Sequence, residues 1–179
     1  MYVYCLFCVT QRCRIIAQVL EARGVDRAFA PQIIRKQRKQ GVNMEKTYDL
    51  LPGYVFIFHE EELVFSDIFW GIDGVIRHVG RSEDRKELSG PDREFALGLY
   101  EKQGIVRGMM MYREGDQVKL KDPLFNHSQG RVTKVDYKKQ RARVDFQFNG
   151  LQCHTWVACE GIEPERKDGE TESGRLILE

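Results

Sequence analysis

Cys5 and Cys8 stand three apart in the opening YVYCLFC, with Cys13 close behind and Cys153, His154 and Cys159 far downstream. A C-x-x-C pair joined by further thiols and an imidazole is the spacing of zinc knuckles and of dithiol redox sites. The neighbours of the pair argue against both. They are aromatic and β-branched, so the segment reads as a strand, and on a strand positions three apart face opposite ways. A redox pair belongs instead at a helix N-terminus, where the dipole lowers the thiol pKa. His59, His78, His127 and His154 are scattered, without a nucleophile or carboxylate pairing around them. There is no P-loop and no G-x-G-x-x-G, and Gly71, Gly74 and Gly80 read as turn glycines. No catalytic residue, no metal site and no cofactor is expected, and the chain is not read as an enzyme.

Cations offer a different chemistry. Arg35, Lys36, Arg38 and Lys39 crowd into IRKQRKQG at residues 34–41. The second half carries Lys119, Lys121, Arg131, Lys134, Lys138, Lys139, Arg141 and Arg143. The net charge is only +1, so attraction to phosphate must come from such local patches. The first group suits sequence-independent, salt-sensitive phosphate contacts. In the second, strand alternation points Arg141 and Arg143 to one side, with Lys138 and Lys139 in the adjoining turn, which suits the backbone of a structured RNA. Ordinary solvated surface charge is the alternative for both.

These residues need elements to hold them. Residues 2–8 predict a strand. Thr10 predicts a cap for a helix over 11–23, with Ile15, Ile16, Val19 and Leu20 on one face and Gly24 as its stop. Residues 27–31 predict a short strand ended by proline. The basic stretch has no apolar periodicity and predicts a flexible hairpin arm. Pro52-Gly53 introduces a strongly apolar strand, residues 60–70 a short helix, and residues 74–80 another strand between glycines. Ser89, Pro91 and Asp92 have the form of a capping box, opening a helix with Phe95, Ala96, Leu99 and Tyr100 on one face and Gly104 at its end. The first half is therefore β-α-β-β-α-β-α, an α+β unit with an antiparallel sheet.

From Tyr112 the texture changes to short alternating strands. Val118 and Leu120 alternate with polar neighbours, as do Ala142, Val144, Phe146 and Phe148, and Asn149-Gly150 marks a tight turn before a strand over 151–159. A small all-β barrel is the natural closure. The expected organisation is an α+β domain over 1–102, a linker over 103–111, a barrel over 112–165 and an acidic tail over 166–179 that frays.

The chain has 179 residues, 42% hydrophobic and 31% charged, which is ordinary for a globular protein. No apolar run reaches the roughly 20 residues of a membrane span, and Met1-Tyr2-Val3-Tyr4-Cys5 lacks the form of a leader. A cytoplasmic monomer without membrane contact is expected, its five cysteines reduced.

The order of these motifs resembles the NusG family of bacterial transcription elongation and antitermination factors. YVYCLF resembles the family's WYVV-type first strand, with Met1 where tryptophan is usual. PGYVFI at 52–57 is the most specific match, and GVIRHVG at 74–80 resembles its GV…FVG strand. Ser89-Gly90-Pro91 stands where the family has its last helix. Gly115-Asp116-Gln117-Val118, Asp122-Pro123-Leu124 and Gly130-Arg131-Val132 resemble a KOW domain, with Asp122 in place of a glycine and Asn126-His127-Ser128 in place of phenylalanine-glycine. The resemblance covers roughly residues 1–165.

It implies an NGN-type domain, an antiparallel sheet flanked by helices, followed by an SH3-like KOW barrel. In the family the first domain docks on RNA polymerase, at the clamp coiled coil of the largest subunit. The barrel recruits ribosomal protein S10, the termination factor Rho, or RNA in specialised members. By family position Phe7, Tyr54 and Phe56 are candidate polymerase contacts. Phe65 and Trp70 lie nearby in sequence, and Ser66 and Asp67 fall near a second, polar contact. Such aromatic anchors dominate interfaces, although aromatic residues on strands are more often core. Upstream DNA lies near the family's equivalent of the basic hairpin. The basic barrel, Met1 and Asp122 point to a specialised, LoaP-like antitermination branch that reads a leader RNA hairpin. The alternatives are a housekeeping factor coupling polymerase to Rho or the ribosome, a stand-alone RNA-binding module resembling a ribosomal protein, and a thiol enzyme.

Overall fold

The computed structural model describes residues 1–39, 41–80, 86–115 and 117–160; the expectations for Asp116 and for the tail over 166–179 lie outside them. A four-stranded antiparallel sheet forms the first layer. It contains β1 (Tyr2–Cys8), β2 (Arg27–Phe29), β5 (Tyr54–His59) and β6 (Val75–Val79) in the order β2-β5-β1-β6. The two central strands are apolar nearly throughout because both of their faces are covered. Tyr4, Leu6, Cys8, Val55 and Ile57 face one way, onto α1 (Cys13–Ala22). Val3, Cys5, Tyr54, Phe56 and Phe58 face the other way.

The stripe that α1 buries is Cys13, Ile16, Ala17 and Leu20, at i, i+3, i+4 and i+7. Ile15, expected on that face, is 56% exposed, because it sits a quarter-turn away from a seam centred on Ile16 and Leu20. Thr10 opens a 3-10 turn over Thr10–Arg12 and makes no capping bond. The short helix α2 (Phe65–Phe69) packs on the same side of the sheet as α1.

The basic stretch lies on a hairpin, as expected, and its backbone over residues 34–39 is regular strand. β3 (Gln32–Lys39) pairs with β4 (Val42–Asp49) rung by rung, from Gln32 opposite Asp49 to Lys39 opposite Val42. A backbone ladder needs no apolar periodicity, which is why the side-chain pattern does not reveal it. The expected linker over 103–111 is also structured. Its first part, β7 (Ile105–Val106), adds parallel to β3, and its second begins β8 (Met109–Glu114). At Gly104, φ is 74° and a Cβ would lie 2.6 Å from the Phe29 ring, so only glycine ends helix α3 (Gly90–Glu101) at that point.

The second half is a small, nearly closed barrel. Its strands are β8, β9 (Gln117–Leu120), β10 (Arg131–Asp136), β11 (Arg141–Phe148) and β12 (Leu151–Glu160), in the order β10-β11-β12-β8-β9. Ala142, Val144, Phe146 and Phe148 point inward as their alternation predicts. Asn149 and Gly150, with φ of 51° and 72°, form the two-residue turn to β12. The barrel packs against the first half through one continuous apolar core. Phe95 of α3 stacks on Phe146 at 5.5 Å and meets Phe125 at 5.9 Å, while Phe148 lies 5.3 Å from Phe56.

Candidate functional site

Alternation along β1 and β5 places Phe7, Tyr54 and Phe56 on the sheet face away from α1. Phe7 and Tyr54 are cross-strand partners with ring centroids 5.2 Å apart. Gly53 makes this approach possible, since a Cβ there would come within 2.9 Å of the Phe7 ring. Phe148 of the barrel then covers the group, edge-on to Tyr54 at 5.3 Å. Phe56 is completely buried, Tyr54 is buried and Phe7 is half-buried, with the Arg77 guanidinium 5.6 Å above its ring. Burial pushes the Tyr54 phenol above its ordinary pKa.

Phe65, Ser66, Asp67 and Trp70 are on the opposite side of the sheet. Phe65 leans edge-on against Tyr4 at 5.1 Å and packs on Phe69 at 4.5 Å. The Ser66 hydroxyl donates to the Asp67 carboxylate at 3.0 Å, and both residues are exposed. Trp70 is 83% exposed. Its position is set by Arg23, whose Nη1 donates to the carbonyls of Ile68 at 2.7 Å and Trp70 at 2.8 Å. The structure thus brings three candidates together beneath the barrel and, across the sheet, displays Ser66, Asp67 and Trp70 while Phe65 is half-buried against the core.

Arg35 is turned inward from the basic hairpin. Its Nε donates to the Trp156 carbonyl at 2.9 Å, its Nη2 to the Thr155 hydroxyl at 3.2 Å, and its plane lies 4.5 Å from the Tyr48 ring centroid. Burial lowers the Arg35 pKa, with Tyr48 opposing and Arg141 adding to the effect. Lys36 is exposed, and Arg38 and Lys39 occupy successive positions toward the hairpin end. This clasp, like the Lys102 Nζ–Asp122 Oδ2 pair at 2.7 Å, was not legible from local pattern. A tryptophan in a strand otherwise flanked by small and polar residues was the one available signal.

The barrel cations divide. Arg141 Nε meets Asp136 Oδ2 at 3.2 Å and its plane lies 4.4 Å from the Trp156 ring centroid. Arg143 Nε meets Asp145 Oδ1 at 2.8 Å. The two arginines share a side, as alternation requires, but each faces a carboxylate there. Burial pulls Asp136 up, yet the Lys139 amide and Arg141 outweigh it and hold the carboxyl below its ordinary value. Lys119 pairs with Glu114. Lys121, Arg131, Lys134, Lys138 and Lys139 are exposed.

Cys5 and Cys8 point to opposite faces of β1, each into a different core cluster. Burial raises both thiols, Cys5 well above the ordinary range and Cys8 to about 12. Neither is poised as a nucleophile. Among the described residues no three His, Cys, Asp or Glu converge as metal ligands would, and no helix is long and apolar enough to cross a membrane.

The chain matches no protein-family profile. It is similar to transcription termination/antitermination protein NusG of Borreliella burgdorferi, at 25% identity over 63% of this chain and 66% of that protein. It is also similar to NusG of Vibrio vulnificus, at 23% over 73% and 75%, and of Buchnera aphidicola, at 26% over 63% and 63%. The matches thus span about two thirds to three quarters of these relatives. These relatives bear the NusG name, not that of a specialised branch. A solved structure titled "Domain interaction in Thermotoga maritima NusG" superposes with a TM-score of 0.52 at 17% identity, covering 88% of this chain and 93% of that one.

Proposed function

Because the chain belongs to the NusG family of transcription termination/antitermination factors, we propose that it rides on transcribing RNA polymerase and promotes processive elongation through terminators. The polymerase-binding unit is the α+β half over 1–102. The barrel over 112–165, joined through 103–111, takes the second partner. The factor works where polymerase works, in the cytoplasm, and performs no covalent chemistry.

The observation that carries this reading is the seating of Phe148 over Tyr54 and Phe56. An aromatic sheet face of this kind is an anchor for a protein surface, and here the barrel covers it. The closed arrangement therefore withholds Phe7, Tyr54 and Phe56, and polymerase engages them when the barrel lifts. Ser66 and Trp70 stay displayed in either state and make the first contact with the clamp coiled coil. Lys36, Arg38 and Lys39 reach upstream DNA, whereas Arg35 holds the hairpin to the barrel.

Capture of core RNA polymerase by the full chain tests the reading. The Phe148→Ser variant, which weakens the cover, is expected to capture more polymerase than the parent and to increase read-through of a terminator in vitro. If neither form bound polymerase at low salt, the reading would fail. The barrel's lifted state also leaves room for a housekeeping role with Rho or ribosomal protein S10. That role predicts capture of those proteins by Phe148→Ser with no gain in read-through.

A further inference from the structure

We propose that Arg23 is a positioning residue for the Trp70 contact: together with Gly71 it locks the turn at whose corner Trp70 stands, so that the indole is preset before a partner arrives. This deepens the reading above, on which it rests, by naming what organises the first contact with polymerase.

Helix α2 has little of its own to hold it. It has five residues, far below the roughly 12–15 that an isolated helix needs. Its first turn has no side-chain cap, its last turn has no basic residue, and none of its residues is fully buried. Phe65, Ile68 and Phe69 rest against the core, which seats the helix but not the chain that leaves it. Trp70 is the first residue beyond, and its side chain stands in solvent.

The backbone at that point is a type II turn. Trp70 has φ of −59° and ψ of 129°, Gly71 has φ of 70°, and the Ile72 amide donates to the Phe69 carbonyl at 3.2 Å. Those are the angles of the second and third residues of a type II turn, and the third must tolerate positive φ. A Cβ on Gly71 would meet nothing within 4 Å, so the glycine serves the backbone angle and not a close approach. The type I turn differs by a flip of the peptide between these two residues, which swings the Trp70 carbonyl to the other side.

Arg23 engages that carbonyl. It is the exposed residue that ends α1, and a single nitrogen, Nη1, donates to both the Ile68 and the Trp70 carbonyls. The first bond satisfies a carbonyl that the end of α2 leaves without a helical partner. The second holds the central peptide of the turn in its type II orientation. Both are short, as bonds from a charged donor are. Ordering a side chain on contact lowers affinity by about two- to twelvefold, and an anchor already held avoids that loss.

The test uses the full chain carrying Trp156→Phe, which leaves Trp70 as its single tryptophan. Time-resolved fluorescence anisotropy reports indole mobility in the free protein. Interferometry on immobilised core RNA polymerase reports the association and dissociation rates. Arg23→Met removes both bonds from an exposed site, and is expected to melt like the parent. It should increase the rapidly depolarised fraction of Trp70 and slow association about threefold to tenfold, with dissociation unchanged. Gly71→Ala should do the same, and the double variant should be no worse than either, because both undo one turn. Arg23→Lys should recover both readouts in part, since the two bonds leave one nitrogen.

Indole mobility that Arg23→Met leaves unchanged overturns the proposal, and so does a mobile indole with unaltered association. Faster dissociation at an unaltered association rate would make Arg23 a direct contact and not a positioning residue. A double variant that loses the sum of the two single effects also overturns it. A parent that ignores polymerase counts against the factor reading alone, and the anisotropy of the free protein then decides the role of Arg23 by itself.

Discussion

Asp92 Oδ1 accepts the main-chain amide of Asn149 at 3.0 Å, tying the first turn of α3 to the hairpin turn between β11 and β12. The residue has the place of a capping-box partner to Ser89, yet Ser89 makes no side-chain capping bond. The carboxylate spends itself on the barrel and still sits favourably at the positive end of its helix. At the other end of α3, Lys102 reaches Asp122, and midway Gly98 lies flat against Leu124, where a Cβ would approach to 3.0 Å. Helix α3 is thus the spine along which the barrel closes.

Asp92→Ala should loosen that closure by about 1.5–3 kcal/mol, the worth of a hydrogen bond to a charged group. Native-state hydrogen exchange would show faster exchange at Asn149, with the amides of β1 unchanged. Equal acceleration in both places would mean that the bond supports the whole fold and not the closure.

Trp70→Ala separates binding from stability. A side chain this exposed should change the melting free energy by less than about 0.5 kcal/mol. If Trp70 makes a first polymerase contact, capture should fall about tenfold or more. Unchanged capture would remove Trp70 from the interface.

Arg35→Lys keeps the charge and loses the fork. A phosphate contact would tolerate the change, but the Arg35 geometry needs Nε and Nη2 together over Tyr48. Exchange at β12 should therefore rise, and binding to upstream-fork DNA at low salt should hold. Loss of DNA binding with β12 still protected would reverse the assignment.

The thiols make a pH prediction. The folded pKa of Cys8 is raised, so the contribution of its protonated form is complete below the ordinary thiol range and is lost as the pH climbs from there toward about 12. Melting temperature should fall across that interval, and Cys8→Ala should flatten the fall. At neutral pH a maleimide should reach Cys153 first, since the other four cysteines are buried. Rapid labelling of Cys5 or Cys8 in the native state would contradict the core described here.

Local pattern was enough for much of the molecule. Alternation in RARVDFQF determined which side chains of β11 enter the barrel, Asn149-Gly150 determined its turn, and the apolar runs of YVYCLFC and YVFIFH determined the central strands, because periodicity of two and left-handed turn geometry are properties of neighbouring residues. The strand nature of the Cys5–Cys8 segment likewise determined that the sulfurs diverge. Tertiary structure decided the rest. It engaged Arg35, Arg141 and Asp92 with residues distant in sequence or across a ladder, chose Cys13 over Ile15 for the buried stripe of α1, and placed Phe148 over the aromatic face. The reason is that charge compensation and occlusion depend on what lies within a few ångströms in space, and a chain's own neighbours do not specify that distance.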